Sequence, residues 1–467
     1  MIFDVAIFGG GVIGASVFNK VCRCGKSAIL LELNDIASGE SKANSGIVHA
    51  GFDAMPGTNK ARLNVLGSNL YPDICSRLKV PYKQIGAYVL GSDIKVVEDL
   101  YNRGIKNGLA IDDLKIISGS KLKKALPNLS DNVTCALYAK KSAVVNPYLF
   151  AICLAEEGVI NGGKCKTFFK TTKITFNGKY FEICGNKEII KARKIVNASG
   201  FGYNSIAKLL GTEKYKINFR RGEYYVLDSN QKTITPSTLF PLPTKHSKGV
   251  LITPTVDGNY LVGPTSTESE NITKTTSSGL KEIKEKSLNL INNVNLKTAI
   301  RVFSGIRPVV GDDFVVEKSK INGKVINIAG ICSPGLSSAP AIALDVIKLL
   351  GIKNVEVNTK TIEPYTLAKS LPKAKYNALV KENPTYGNII CKCEMITEGD
   401  IISALHRPIP VITIDGIKRR VRAGMGRCQG GFCMAKVAKI IARENNIPIN
   451  KVLKEYPKSE MMVSNIK

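Results

Sequence analysis

The sequence predicts an α/β protein: a Rossmann-like nucleotide-binding domain, an α+β domain inserted into it, and a small helical module at the C-terminal end carrying paired cysteines. Three observations predict this. An apolar run at 3–8 enters the cluster Gly9-Gly10-Gly11-Val12-Ile13-Gly14, followed by a helical stretch to Arg23 and a second apolar run at 28–31 ending at Glu32. Two further apolar runs, 194–198 and 325–329, end in small residues and lead into helical stretches. Near the end, Cys391-Lys392-Cys393 is followed after 34 residues by Cys428-Gln429-Gly430-Gly431-Phe432-Cys433.

The glycine cluster sets the chemistry. A buried strand must turn sharply into a helix whose bare N-terminus faces a diphosphate, and Gly9, Gly11 and Gly14 let the backbone approach that closely. Glu32 then sits where a ribose hydroxyl would be held. The next segment, 38–51, is small and polar and can lie along an extended dinucleotide, presenting His49 near the reactive end.

In chain order, Ala61, Leu63, Leu66 and Leu70 predict a helix over 60–75. Mixed short segments from 81 to 138, with a strand at 86–90, carry no nucleotide signature and are assigned to the inserted domain. A helix follows at 145–160, then a meander about Asn177-Gly178, then the strand and small-residue turn at 194–202 with a helix to Leu210. Residues 220–227 alternate as a strand, 256–260 signal a hairpin, and 278–291 read as a polar helix. The chain is expected to re-enter the first domain at 302–308 and to complete it with 325–330, the turn 331–340 and an apolar helix to Leu350. These readings place the first two domains within 1–365, with the insertion at about 76–142 and 216–300. A linker at 366–386, a cysteine module at 387–445 and a tail at 446–467 complete the expected plan.

Composition bounds the function. At 467 residues with 44% hydrophobic content the chain has the makings of a large core, and it contains no apolar run long enough to span a membrane. The first strand starts at once, leaving no room for a leader ahead of it, and twelve cysteines suit a reducing cytoplasm. The net charge of +28 is spread along the chain without aromatic-interleaved basic motifs, which argues against nucleic acid. It leaves peripheral contact with an anionic membrane as a minor expectation. The one dense basic cluster, 418–422, is expected to face an acidic redox partner.

Residues 1–60 resemble the FAD-binding start of the D-amino-acid-oxidase-like flavoproteins. Within that superfamily, 42–51 is similar to the FAD-dependent glycerol 3-phosphate dehydrogenases and oxidases, as are 243–254 and 259–265. The resemblance implies oxidation of glycerol 3-phosphate to dihydroxyacetone phosphate. It places FAD against Gly9, Gly11, Gly14, Glu32, Ser41, Asn44, Ser45, Gly46, Gly200, Gly330, Gly335, Leu336 and Ser337. It further implies substrate binding by Lys248 and Arg307, with Ser45 and Ser333 close by.

Removing hydride from a carbinol carbon needs a base for the hydroxyl proton and cations for an anionic substrate. Of three histidines only His49 follows the cofactor loop, and it matches the proposed base of the family; a hydrogen-bonded core role for it competes. His246 and His406 read as ordinary loop or surface residues. Rival substrates within the superfamily are a 2-hydroxy acid such as 2-hydroxyglutarate, an amino acid or a secondary amine. A non-catalytic electron-transfer subunit is the rival from another class.

The four C-terminal cysteines, Cys391, Cys393, Cys428 and Cys433, resemble the bacterioferritin-associated-ferredoxin-like domains, which implies a [2Fe–2S] cluster. Zinc is the alternative, since four thiolates also close a tetrahedral zinc site. A cluster would carry electrons from the flavin to a separate acceptor, either a flavoprotein or a membrane-associated subunit.

Overall fold

The computed structural model describes residues 1–230, 232–243, 249–268, 274–292, 294–357 and 359–461. Its first sheet has a parallel centre. Strand Ile2–Phe8 lies between Ala28–Leu31 and Glu188–Asn197, with Lys164–Lys166 beyond the former and Val325–Ala329 beyond the latter. Ile2–Phe8, Ala28–Leu31 and Val325–Ala329 are nearly all apolar because helices cover the sheet there. Val12–Arg23, Asn59–Leu78, Pro147–Ile160 and Gly335–Leu349 share one continuous core with it. The start of Glu188–Asn197 is longer than its parallel neighbours need, and it pairs there with the meander Thr171–Phe176 and Phe181–Gly185. Asn177 closes that turn by accepting from the N–H groups of Lys179 and Tyr180 at 3.1 and 3.0 Å.

The inserted domain is a second sheet of nine strands. Its backbone is the long antiparallel pair Asn218–Leu227 and Ala299–Val309, and the latter corrects one expectation: residues 302–308 belong to this sheet, not to the nucleotide-binding domain. The segment there serves a cross-strand ribbon, and the chain returns to the first sheet only at Val315–Lys318. The expected helices appear as Asn59–Leu78, Pro147–Ile160 and Ser277–Ser287, and the hairpin about 256–260 joins Leu251–Pro254 to Tyr260–Gly263.

The C-terminal module packs Glu398–Leu405, Ile414–Val421 and Met434–Glu444 around their own core. Thr397 and Asp400 form a reciprocal capping box at the first helix. The helix Ile414–Val421 escaped the sequence reading, and its position overturns another expectation. Arg419 and Arg420 are 3% and 2% exposed and point inward: both bond Asp35 Oδ2, at 2.8 and 3.3 Å. Arg422 binds Asp257 at 2.6 Å and Glu394 at 3.0 Å. The basic cluster is therefore largely committed to joining the cysteine module to the rest of the chain. Residues 446–461, read as a tail, fold back as well, with Leu453 bridging to Thr413 and Glu460. Among the described residues no helix is long and apolar enough to cross a membrane.

Candidate active site and cysteine centre

A cleft of about 1400 Å³ runs from the glycine turn to His49, between the two sheets. At one end Glu32 accepts from Gly10 N–H at 2.6 Å and Asn34 N–H at 2.8 Å, while burial raises its pKa against the lowering by those donors. Gly9 holds φ +102, and a Cβ there would stand 2.5 Å from Ala198 O, so only glycine joins these neighbouring strands. Val12 N–H, at the helix start, is capped by Ser41 Oγ at 2.8 Å. Asn44 braces the loop by donating to Glu40 and Ser41 carbonyls and accepting from Gly46 N–H.

Of the residues expected at the cofactor, Gly9, Gly11, Glu32, Ser41, Asn44, Ser45, Gly200, Gly330, Gly335 and Leu336 line this cleft. Gly14, Gly46 and Ser337 do not. A Cβ on Gly14 would collide with Gly9 O, and one on Gly46 would stand 2.8 Å from Val145 O, so both are demanded by packing. Ser337 instead accepts His49 N–H at 2.8 Å behind the cleft wall.

His49 is nearly buried, with its ring 5.5 Å from that of Phe240 and tilted by 36°. Its Nε2 lies 3.4 Å from Ser333 Oγ. Its carbonyl accepts from the Asn64 amide at 3.1 Å, when that amide is oriented to satisfy its neighbours. The backbone on both sides of the imidazole is thus pinned, which sets the ring at the cleft.

Opposite stands a ribbon face that the sequence reading only partly found. In the pairing of Asn218–Leu227 with Ala299–Val309, Arg220 faces Arg307, Gly222 faces Gly305 and Tyr224 faces Phe303. The two glycines make room: a Cβ on Gly222 would meet the Arg307 guanidinium, and one on Gly305 would meet Ala43 O. Arg307 Nη2 donates to Thr265 O at 2.5 Å. Arg220 is held by Ser266 Oγ at 3.0 Å and Glu268 at 3.2 Å. Tyr224 stacks on Phe303 at 4.8 Å; burial raises its pKa, opposed by Arg307 and by a hydrogen bond with Ser45. Arg220 and Tyr224 were missed; their signal was the period-two run 220, 222, 224, legible only once the partner strand is known. Lys248 and His246 lie outside the described residues, although Pro243 and Gly249 on either side of them line the cleft. His406 is exposed and pairs with Glu444 at 3.0 Å, as an ordinary surface residue would.

In the C-terminal module all four cysteines come together as two thiol pairs. Cys393 and Cys428 stand 3.6 Å apart, and Cys433 donates to Cys391. That bond, with backbone N–H groups of Gly424 and Glu394, brings Cys391 down to about 6 against the opposing effect of burial. The N–H groups of Phe432, Gly430 and Gly431 turn toward Cys428 and hold its thiol below its ordinary value. Among the described residues no group of three or more ligand side chains surrounds a single point. Two cysteine pairs, each met by backbone donors, form a donor set that a centre with two metal atoms would use.

A glycine-walled cleft with a carboxylate at one end, and a separate four-thiol centre, suit a dinucleotide-dependent oxidoreductase carrying a metal-cluster module. Residues 4–349 match the FAD dependent oxidoreductase family (DAO), and residues 389–443 match the BFD-like [2Fe-2S] binding domain. The chain is 40% identical over 476 residues to a glycerol 3-phosphate dehydrogenase of Caloramator mitchellensis, covering 98% of each. It is 31% identical to a glycerol 3-phosphate oxidase of Mycoplasma genitalium, across 75% of this chain and 95% of that one. A solved structure of dithionite-reduced L-alpha-glycerophosphate oxidase from Mycoplasma pneumoniae, with FAD bound, superposes with a TM-score of 0.74 at 27% identity, over 77% of this chain and 98% of that chain. The chain belongs to the DAO family of FAD-dependent oxidoreductases, and its cofactors are FAD and a [2Fe–2S] cluster.

Proposed function

We propose that this enzyme oxidises glycerol 3-phosphate to dihydroxyacetone phosphate in a cytoplasmic setting and passes the electrons through its [2Fe–2S] cluster to a separate acceptor. The observation that carries the reading is the opposition of His49 and the Arg220–Arg307 ribbon across one cleft, in a chain similar over its full length to a glycerol 3-phosphate dehydrogenase. FAD, when bound, supplies the two-electron acceptor, and the cluster at Cys391, Cys393, Cys428 and Cys433 a one-electron carrier.

The chain's own residues do the rest. His49 Nε2 takes the proton of the C2 hydroxyl, with Ser333 Oγ close enough to orient that hydroxyl. Arg307 offers a fork to the phosphate and Arg220 a second positive charge beside it. Lys248 is the third cation of the proposal, and the cleft-lining positions of Pro243 and Gly249 favour it. Ser45, hydrogen-bonded with Tyr224, ties the cofactor loop to the ribbon beside the substrate. Gly9, Gly11, Glu32, Ser41, Asn44, Ser45, Gly200 and the turn Gly330 to Leu336 would hold FAD, with Gly14, Gly46 and Ser337 shaping the loops behind them.

Two spatial facts favour exit through the cluster. The thiol loop is pinned to the substrate domain by Arg427–Asp228 at 2.7 Å and by Arg301–Gln429 at 3.1 Å, and the adjoining helix is pinned to the cofactor loop by Asp35. The acceptor in this reading is another flavoprotein or a membrane-associated subunit. A Cys428→Ser variant tests the route. Glycerol 3-phosphate should still bleach its flavin, while turnover with a one-electron acceptor drops at least tenfold; unchanged turnover in a cluster-free variant would remove the cluster from the path.

A further inference from the structure

The C-terminal segment does more than follow the cysteine module: it builds one edge of the cofactor cleft. Tyr456 lines that cleft although it lies more than four hundred residues beyond the glycine turn. Its hydroxyl donates to Ser38 O at 3.2 Å and accepts from Lys42 Nζ at 3.1 Å, and the Lys42 ammonium sits 5.1 Å from its ring centroid. Lys42 also donates to Glu455, which in turn accepts from Arg419. Arg419 completes the circuit on Asp35.

The residues 35–42 are therefore held at both ends by the C-terminal part of the chain. Between those ends lie Ser38, Gly39, Glu40 and Ser41, all on the cleft wall, and Ser41 caps the helix that faces the diphosphate. The holding segment is itself preorganised. Glu455 N–H donates to Ser459 Oγ at 3.0 Å, and Lys454 N–H to Ser459 O at 2.8 Å, so Glu455 and Tyr456 are presented on a closed turn.

We propose that Tyr456 and Glu455 are part of the FAD site of this enzyme. Tyr456 is a wall contacting the adenosine-diphosphate half of the cofactor, and Glu455 is a positioning residue that sets Lys42 and the 38–42 loop. The iron–sulfur end of the chain thus retains the flavin as well as holding a cluster. The inference rests on FAD binding and is independent of which substrate is oxidised.

Its test uses full-length protein stripped of FAD and titrated with it, with affinity read from flavin fluorescence and the integrity of the C-terminal module read from [2Fe–2S] absorbance per chain. Tyr456→Ala should weaken FAD at least tenfold with the cluster retained, and Glu455→Gln at least threefold. Affinity within twofold of the parent in a cluster-loaded Tyr456→Ala would overturn the proposal. Should that variant fail to fold, Tyr456→Leu and Glu455→Gln decide the matter. The first removes the ring and its bonds to Ser38 and Lys42, the second replaces the carboxylate that Lys42 and Arg419 share by a neutral amide, and unchanged FAD affinity in the two together would overturn the proposal equally.

Discussion

Replacing Arg307 with methionine keeps the length of the side chain and removes its charge, so it isolates the phosphate-binding role. In the parent, Nη2 is spent on Thr265 O at 2.5 Å and the guanidinium lies over Gly222, which leaves its remaining N–H groups for the cleft it lines. A charge-assisted hydrogen bond contributes about 1.5–3 kcal/mol, and at ~1.4 kcal/mol per decade this is a loss of roughly 10–150-fold in binding. The phosphate is gripped alike before and during hydride loss, so the deficit belongs in KM, with kcat within a fewfold. Arg220 keeps a positive charge beside the phosphate, which favours the lower half of that range. The assay is steady-state oxidation of glycerol 3-phosphate beside glycerol. Glycerol has no phosphate, so its rate should hardly move and the preference should fall by the same factor. A KM within twofold of the parent, or a fall in kcat at unchanged KM, would refute phosphate binding by Arg307.

Other consequences can be checked separately. His49→Ala should slow substrate reduction of the flavin by about 10²–10⁴-fold, as loss of a general base does, with FAD content unchanged in stopped-flow samples; a loss of flavin would point to a structural histidine. Gly14→Val should yield protein without flavin in its absorbance spectrum, because any Cβ there meets Gly9 O and displaces the turn. Arg419→Met should destabilise the docked C-terminal module by about 1.5–3 kcal/mol in denaturant unfolding, the usual worth of a charge-assisted hydrogen bond, because Asp35 at 2% exposure loses the Arg419 bond at 2.8 Å but keeps Arg420 at 3.3 Å. The same contact sets an acid limit. Burial pushes the Asp35 carboxyl up, but Arg420 and Arg419 outweigh it and hold it below its ordinary value of 3.8. The stabilisation is therefore complete above pH 3.8 and lost as pH falls through the lowered value, so parent and Arg419→Met should converge in strong acid and differ most near neutrality.

What the sequence made legible was local. The strand, glycine turn and helix at 2–23 follow from adjacent residues, as do the capping box at Thr397 and the turn at Asn177-Gly178, so each could be read directly. The four cysteines also announced themselves by spacing. What stayed hidden depends on partners distant in sequence. Residues 302–308 mix apolar, small and charged side chains, and nothing within them says which sheet they join. Arg220 and Tyr224 gain meaning only from their register against Arg307 and Phe303. Arg419 and Arg420 read as a basic cluster facing an acidic partner because the carboxylate that buries them, Asp35, lies nearly four hundred residues away. Gly14, Gly46 and Ser337 were expected at the cofactor, and a glycine that touches a ligand looks in sequence like one that touches a carbonyl.

The most direct measurement is an anaerobic absorbance spectrum of the purified holoenzyme before and after addition of glycerol 3-phosphate. Bleaching of the flavin band near ~450 nm together with the broader iron–sulfur absorption is the predicted result, since a reduced flavin would feed the cluster. A flavin that stays oxidised with glycerol 3-phosphate but is reduced by an amine or a 2-hydroxy acid would contradict the assigned substrate.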